Sequence, residues 1–124
     1  GGSIECDALV IRADTSGTGS ENVGMKQEQA SSSISASSVD AVTSCDALVS
    51  TGSNNHGMSL SDGEITATGD ISLTGRAGRG STSDGILLNV SLLRSDTNIR
   101  IIGESQSLST ESFGVHVIEA AGTI

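Results

Sequence analysis

Gly69-Asp70-Ile71-Ser72-Leu73-Thr74-Gly75, followed by Ser83-Asp84-Gly85-Ile86-Leu87-Leu88, sets two apolar residues two positions apart, closes on a glycine, and reopens with a second glycine and a second apolar pair. Spacing of two is the period of a β-strand, so each half of this unit predicts a strand with one buried face. The pattern recurs along the chain. Its first members read Leu9, Ile11, Ala13; then Leu48, Ser50, Gly52; then Ile71, Leu73, Gly75; then Ile99, Ile101, Gly103. Its second members read Gly24-Met25-x-Gln27, Gly57-Met58-x-Leu60, Gly85-Ile86-x-Leu88 and Gly114-Val115-x-Val117. The small residues that close the first members lie 39, 23 and 28 positions apart, about the length of one coil of a β-solenoid. Repeats of this kind bury their apolar faces against neighbouring repeats. The expectation is an all-β chain, a parallel β-helix of about four coils, forming one solenoid domain over residues 1–124.

Composition agrees with a narrow core. Phe113 is the sole aromatic residue, and Trp, Tyr and Pro are absent. A β-sandwich of this length builds its interior on large aromatic side chains, whereas stacked Val, Ile, Leu, Ala and Gly fill a solenoid. Serine, threonine and glycine supply 50 of the 124 residues, a bias that reads as disorder unless apolar pairs interrupt it. The pairs fail from Gln27 onward, where Ser31-Ser32-Ser33 and Ser37-Ser38 dominate, so a Ser-rich irregular insertion is expected over about 27–44.

Six basic residues against fifteen acidic ones leave a net charge of −9, which opposes binding to nucleic acid or anionic membranes, both of which need clustered Lys and Arg. The one basic concentration, Arg76 and Arg79 in Gly75-Arg76-Ala77-Gly78-Arg79-Gly80, lacks the Lys-Ser/Thr ending of a P-loop and reads as a solvated loop. No apolar run approaches the roughly eighteen residues of a membrane-spanning helix, and Gly1-Gly2-Ser3 begins no signal pattern. Membrane insertion is not expected.

The two cysteines sit in matching contexts, Cys6-Asp7-Ala8-Leu9-Val10 and Cys45-Asp46-Ala47-Leu48-Val49. Equivalent positions on consecutive coils stack about 4.8 Å apart, within the Cα separation of a disulfide. A bridge would add on the order of 3–4 kcal/mol by loop closure and would place the chain in an oxidising, extracellular compartment. The alternative is two reduced, buried, small apolar residues. Parity favours the bridge, since three residues before an inward leucine points outward in a regular strand. Cys6, Cys45, His56 and His116 match no zinc spacing.

Chemistry beyond this is sparse. His56 in Ser53-Asn54-Asn55-His56-Gly57 and His116 between Val115 and Val117 read as surface side chains, and no Gly-x-Ser-x-Gly accompanies them. Asp62-Gly63 and Asp84-Gly85 are explained by turn chemistry, and the calcium-binding Gly-Gly-x-Gly-x-Asp nonapeptide does not occur. No cofactor is expected. A polysaccharide lyase or hydrolase groups carboxylates with aromatic sugar platforms, which one phenylalanine does not provide.

The two units at Gly69 to Leu88 and at Asn98-Ile99-Arg100-Ile101-Ile102-Gly103 with Ser112-Phe113-Gly114-Val115-His116-Val117 resemble the coil repeats of filamentous-haemagglutinin-like exoproteins of the two-partner secretion type. That resemblance implies a Gly-x-Ile-x-Leu-x-Gly strand alternating with a Gly-Ile/Val-x-Leu/Val strand in long secreted adhesins. It rests on core positions and transfers no functional residue. The expected role is a non-enzymatic structural or adhesive module at the cell surface, displaying polar rows to a glycan or protein and packing against further coils of a longer chain. A small subunit stacking end to end into a fibre is the alternative, and a tailspike-like or lyase-like polysaccharide-binding helix the second alternative.

Overall fold

A computed structural model describes residues 2–29, 31–90, 92–107 and 111–118. Ten strands follow one another: β1 (Ser3–Thr15), β2 (Met25–Gln27), β3 (Ser33–Cys45), β4 (Met58–Ser61), β5 (Glu64–Ala67), β6 (Ile71–Arg76), β7 (Ile86–Asn89), β8 (Leu92–Ser95), β9 (Ile99–Glu104) and β10 (Val115–Val117). All pairings are parallel and join strands about one coil apart. The fold is a β-solenoid of about four coils.

One sheet holds β8, β5, β3, β6 and β9, with β1 on the other edge of β3; the second runs β10, β7, β4, β2. The apolar pairs stack across coils in continuous rows. Leu9, Val39, Ile71 and Ile99 form one; Ile11, Ala41, Leu73 and Ile101 the next. Across the interior stand Met25, Met58, Ile86 and Val115, then Gln27, Leu60, Leu88 and Val117. A third flank carries Ile4, Ile34, Ile65 and Leu93. Burial of these rows against each other is the hydrophobic term that orders a chain with one aromatic residue.

The strand β3 replaces the irregular insertion expected over 27–44. Its inward residues Ile34, Ala36, Val39, Ala41, Thr43 and Cys45 are all buried, and serines fill most of the outward positions. Parity changes at Ser37-Ser38, so the two halves of one long strand line two different flanks of the core. Coils three and four make the same change with one more residue, Thr68-Gly69-Asp70 and Asp96-Thr97-Asn98, and break into separate strands. Asp70 braces that corner, its Oδ1 accepting from Thr97 Oγ1 at 2.5 Å and Asn98 Nδ2 at 3.1 Å. These hydrogen bonds hold the Asp70 carboxyl below its usual pKa.

Two sequence expectations fall with this register. Leu48 is not a core position: it is 81% exposed, and Val39 stands where Leu48 was expected, one rung above Ile71. The cysteines do not bridge. Cys6 pairs with Ala36 and Cys45 with Thr15, nine residues further along, roughly 30 Å at strand rise; both thiols are free. The inward face switches at Asp7-Ala8, which sets Cys6 on the same flank as inward Ala36, so parity counted back from Leu9 does not reach Cys6.

The second-member glycines mark the closest approach across the tube. Gly57 and Gly85 lie where a Cβ would overlap backbone, that of Arg76 and Gly85 for the first and of Gly103, Glu104 and Gly114 for the second. In coil two Thr43 occupies the position facing this column, and its hydroxyl donates to Gly57 O at 2.6 Å.

Candidate functional site

Each coil turns into its second-member strand through three residues ending in glycine: Asn22-Val23-Gly24, Asn55-His56-Gly57, Ser83-Asp84-Gly85 and Ser112-Phe113-Gly114. The first of the three forms a polar ladder. Asn22 N–H donates to Asn55 Oδ1 at 2.9 Å, Asn55 N–H to Ser83 Oγ at 3.1 Å and Ser83 N–H to Ser112 Oγ at 3.0 Å. Asn55 is fully buried and also donates through Nδ2 to Gly19 O and Gly52 O. The corner amides of the first three coils thus each find a side-chain oxygen one coil below, which satisfies groups that burial would otherwise penalise.

The middle residue of each corner carries the chemistry. The carboxylate of Asp84, 2% exposed, lies between two imidazoles and accepts from one backbone amide. The Asp84 N–H donates to His56 Nδ1 at 3.1 Å, and its Oδ1 accepts from Phe113 N–H at 2.8 Å. Its Oδ2 lies 3.0 Å from His116 Nδ1 and 3.7 Å from His56 Nδ1. The Phe113 and His116 rings pack at a centroid distance of 4.8 Å. The network assigns the tautomers: His56 Nδ1 accepts, so its proton sits on Nε2, whereas His116 Nδ1 donates to the carboxylate. Burial is the largest influence on His56 and pushes its pKa down; Asp84 opposes that and His116 adds to it.

His56 and His116, expected at the surface, therefore meet around one buried carboxylate. His56 is 9% exposed, and His116 keeps 38% of its side chain in solvent. The signal lay in the glycine column, since His56, Asp84 and Phe113 each precede a corner glycine and so stack. A His–Asp pair of this kind orients an imidazole for proton transfer. Among the described residues no hydroxyl or thiol hydrogen-bonds to either ring, and no group of three or more His, Cys, Asp or Glu is arranged to hold a metal ion.

A second feature is a groove of about 550 Å³ between the ends of the first-member strands and the following turns, lined by Asp14, Cys45, Asp46, Leu48, Arg76 and Arg79 among others. Cys45 forms its floor. The thiol lies 3.0 Å from both Asn22 O and His56 O, and burial pushes its pKa up, which keeps it protonated and unreactive. Arg76 pairs with Glu104 at 3.6 Å across the next coil.

No protein-family model, curated protein or solved structure matches this chain. The solenoid shape agrees with the expected architecture and identifies no family.

Proposed function

We propose that the chain is a non-enzymatic structural module of a cell-surface β-solenoid, acting through the rigid grid of side chains on its outer faces. The observation that carries this reading is the outward register. Glu5, Ser35, Thr66 and Arg94 stack in one row, Val10, Asp40, Ser72 and Arg100 in another, and Asp14, Ser44, Arg76 and Glu104 in a third. Rows about 4.8 Å apart between coils, fixed by backbone ladders, offer weak contacts at a constant repeat. Such contacts add to a useful affinity only when presented together, to a glycan or an extended protein surface. With both thiols free, no disulfide supports an extracellular setting, and that setting is part of the proposal.

The test is retention. Beads bearing the chain at high density are washed over immobilised cell-surface glycans beside beads bearing Asp40→Ala/Ser72→Ala/Thr74→Ala, three neighbouring outward positions. The reading expects density-dependent retention that the triple variant weakens at least several-fold. Retention no better than that of inert beads, or release of shortened saccharide from the surface, would replace it, the latter with the polysaccharide-cleaving alternative and a role for His116 with Asp84.

A further inference from the structure

The two ends of the tube show chemistry that the middle coils satisfy internally. The upper edge of β1 and β2 and the lower edge of β9 and β10 each pair on one side only among the described residues. On the inner rows, Met58 and Ile86 are fully covered while Val115 is 38% exposed; Leu60 and Leu88 are at 0% and 1% while Val117 stands at 57%. Leu9, Ile11 and Met25 at the top, and Ile99 and Ile101 at the bottom, are only partly buried. Gln27 occupies an inward core position at the top; its Oε1 is buried there without a hydrogen-bond partner.

Resting on the structural-module reading, we infer that the β9–β10 edge of one copy seats on the β1–β2 edge of a second copy in the register that joins β6 to β9. The chemistry matches rung by rung. Ile99 meets Leu9 of the second copy, Ile101 meets Ile11, Gly103 meets Ala13 and Val115 meets Met25, each continuing a row that already runs through four coils. The corner ladder continues as well: Ser112 N–H reaches the side-chain oxygen of the second copy's Asn22, as Ser83 N–H reaches Ser112. An incoming coil also brings N–H donors to the edge where Gln27 Oε1 is orphaned. The flank of β8 takes no part, because Leu93 is fully covered in its own chain. The two surfaces are different and face opposite ways along one axis, so the contact does not close and copies add indefinitely.

One rung resists. Glu104 faces Asp14 of the second copy on the outward side. Like charges directly opposed on a sheet oppose pairing, and exposed ones are screened by salt. Assembly is therefore weak at low ionic strength and grows with added salt, the reverse of a joint held by ion pairs.

The experiment is sedimentation of the full chain across concentration at low and at roughly half-molar sodium chloride. The expected result is a mean mass that rises above 12.4 kDa with both protein and salt, without a ceiling. Val117→Lys blocks the lower face and Met25→Lys the upper; each alone stays at one chain, and an equal mixture of the two gives one-to-one pairs and nothing larger. Asp14→Lys removes the repulsion and raises the mass at low salt. Circular dichroism on each variant establishes that the strands persist. A wild-type mass fixed at 12.4 kDa under all conditions overturns the inference, as does a mass that stops at two copies or a Val117→Lys variant that assembles like the wild type. A folded chain that stays single leaves the module reading intact, because the bead assay supplies its valency by surface density.

Discussion

Leu60 and Val117 occupy the same row, two coils apart, and differ in one respect: Leu60 has a coil above and below it and is fully buried, while Val117 has a coil on one side and is 57% exposed. The contrast recurs at Ile65 against Ile4, at 0% and 46%. Burial in this molecule is a property of a residue's place in the stack as much as of its type, so the same substitution costs different amounts in the middle and at the ends.

The sharpest way to probe that contrast is the glycine column. Gly85→Val, in a coil with neighbours above and below, puts a branched side chain into the fourth-coil backbone at Gly103, Glu104 and Gly114, where nothing flexible gives way, and is expected to cost roughly 3 kcal/mol or more, seen as loss of the cooperative unfolding transition. Gly24→Val, in the first coil, meets Gly57 O and Thr43 with no coil above it, and is expected to leave a weakened but measurable transition. Equal effects would break the comparison.

Next come the row pairs. Leu60→Ala removes a fully buried side chain and leaves a cavity, at about 2–5 kcal/mol by urea unfolding. Val117→Ala at the end of the same row should cost under about 1 kcal/mol.

The corner network gives a smaller, pH-dependent effect. Folding lowers the pKa of His56 from its ordinary 6.5, so the unfolded chain binds the proton more readily. The sign follows: stability is full above pH 6.5 and falls as pH drops from there toward the folded value. Protonation also sets a donor at Nδ1 against the Asp84 N–H. His56→Gln should flatten this part of the pH–stability curve, whereas a change at Val23, which fills the same corner position in the first coil, should not. A stability that rises on acidification through this range would contradict the arrangement.

The smallest effect concerns the thiols. Cys6 lies exposed on the end coil and Cys45 is buried between coils, so a thiol reagent should label Cys6 in the native protein and Cys45 only on unfolding. Intact mass should be unchanged by reductant. Two hydrogens gained on reduction would restore the bridge.

The part of this fold that could be read from sequence is the glycine column. Gly57, Gly85 and Gly114 each precede an apolar pair, Gly24 precedes Met25 and Gln27 at the same spacing, and those segments stack as β2, β4, β7 and β10. The first-member row was legible in coils one, three and four and not in coil two. There the inward residues are small, Val39 and Ala41 among serines, while Leu48 supplies a larger apolar side chain a few residues on. The repeated Cys-Asp-Ala-Leu-Val strengthened the wrong alignment, though Leu9 is half-buried in a strand and Leu48 lies in a turn. The contact of His56, Asp84 and His116 was hidden for another reason. Its members are 28 and 32 residues apart, and only the coil register brings them within a hydrogen bond.

Nuclear Overhauser contacts along β3 report that register. Cross-strand contacts are expected from Val39 to Ile71 and from Ala41 to both Ile11 and Leu73. Contacts from Leu48 and Ser50 to Ile71 and Leu73, with the Ser-rich stretch showing none, would contradict it.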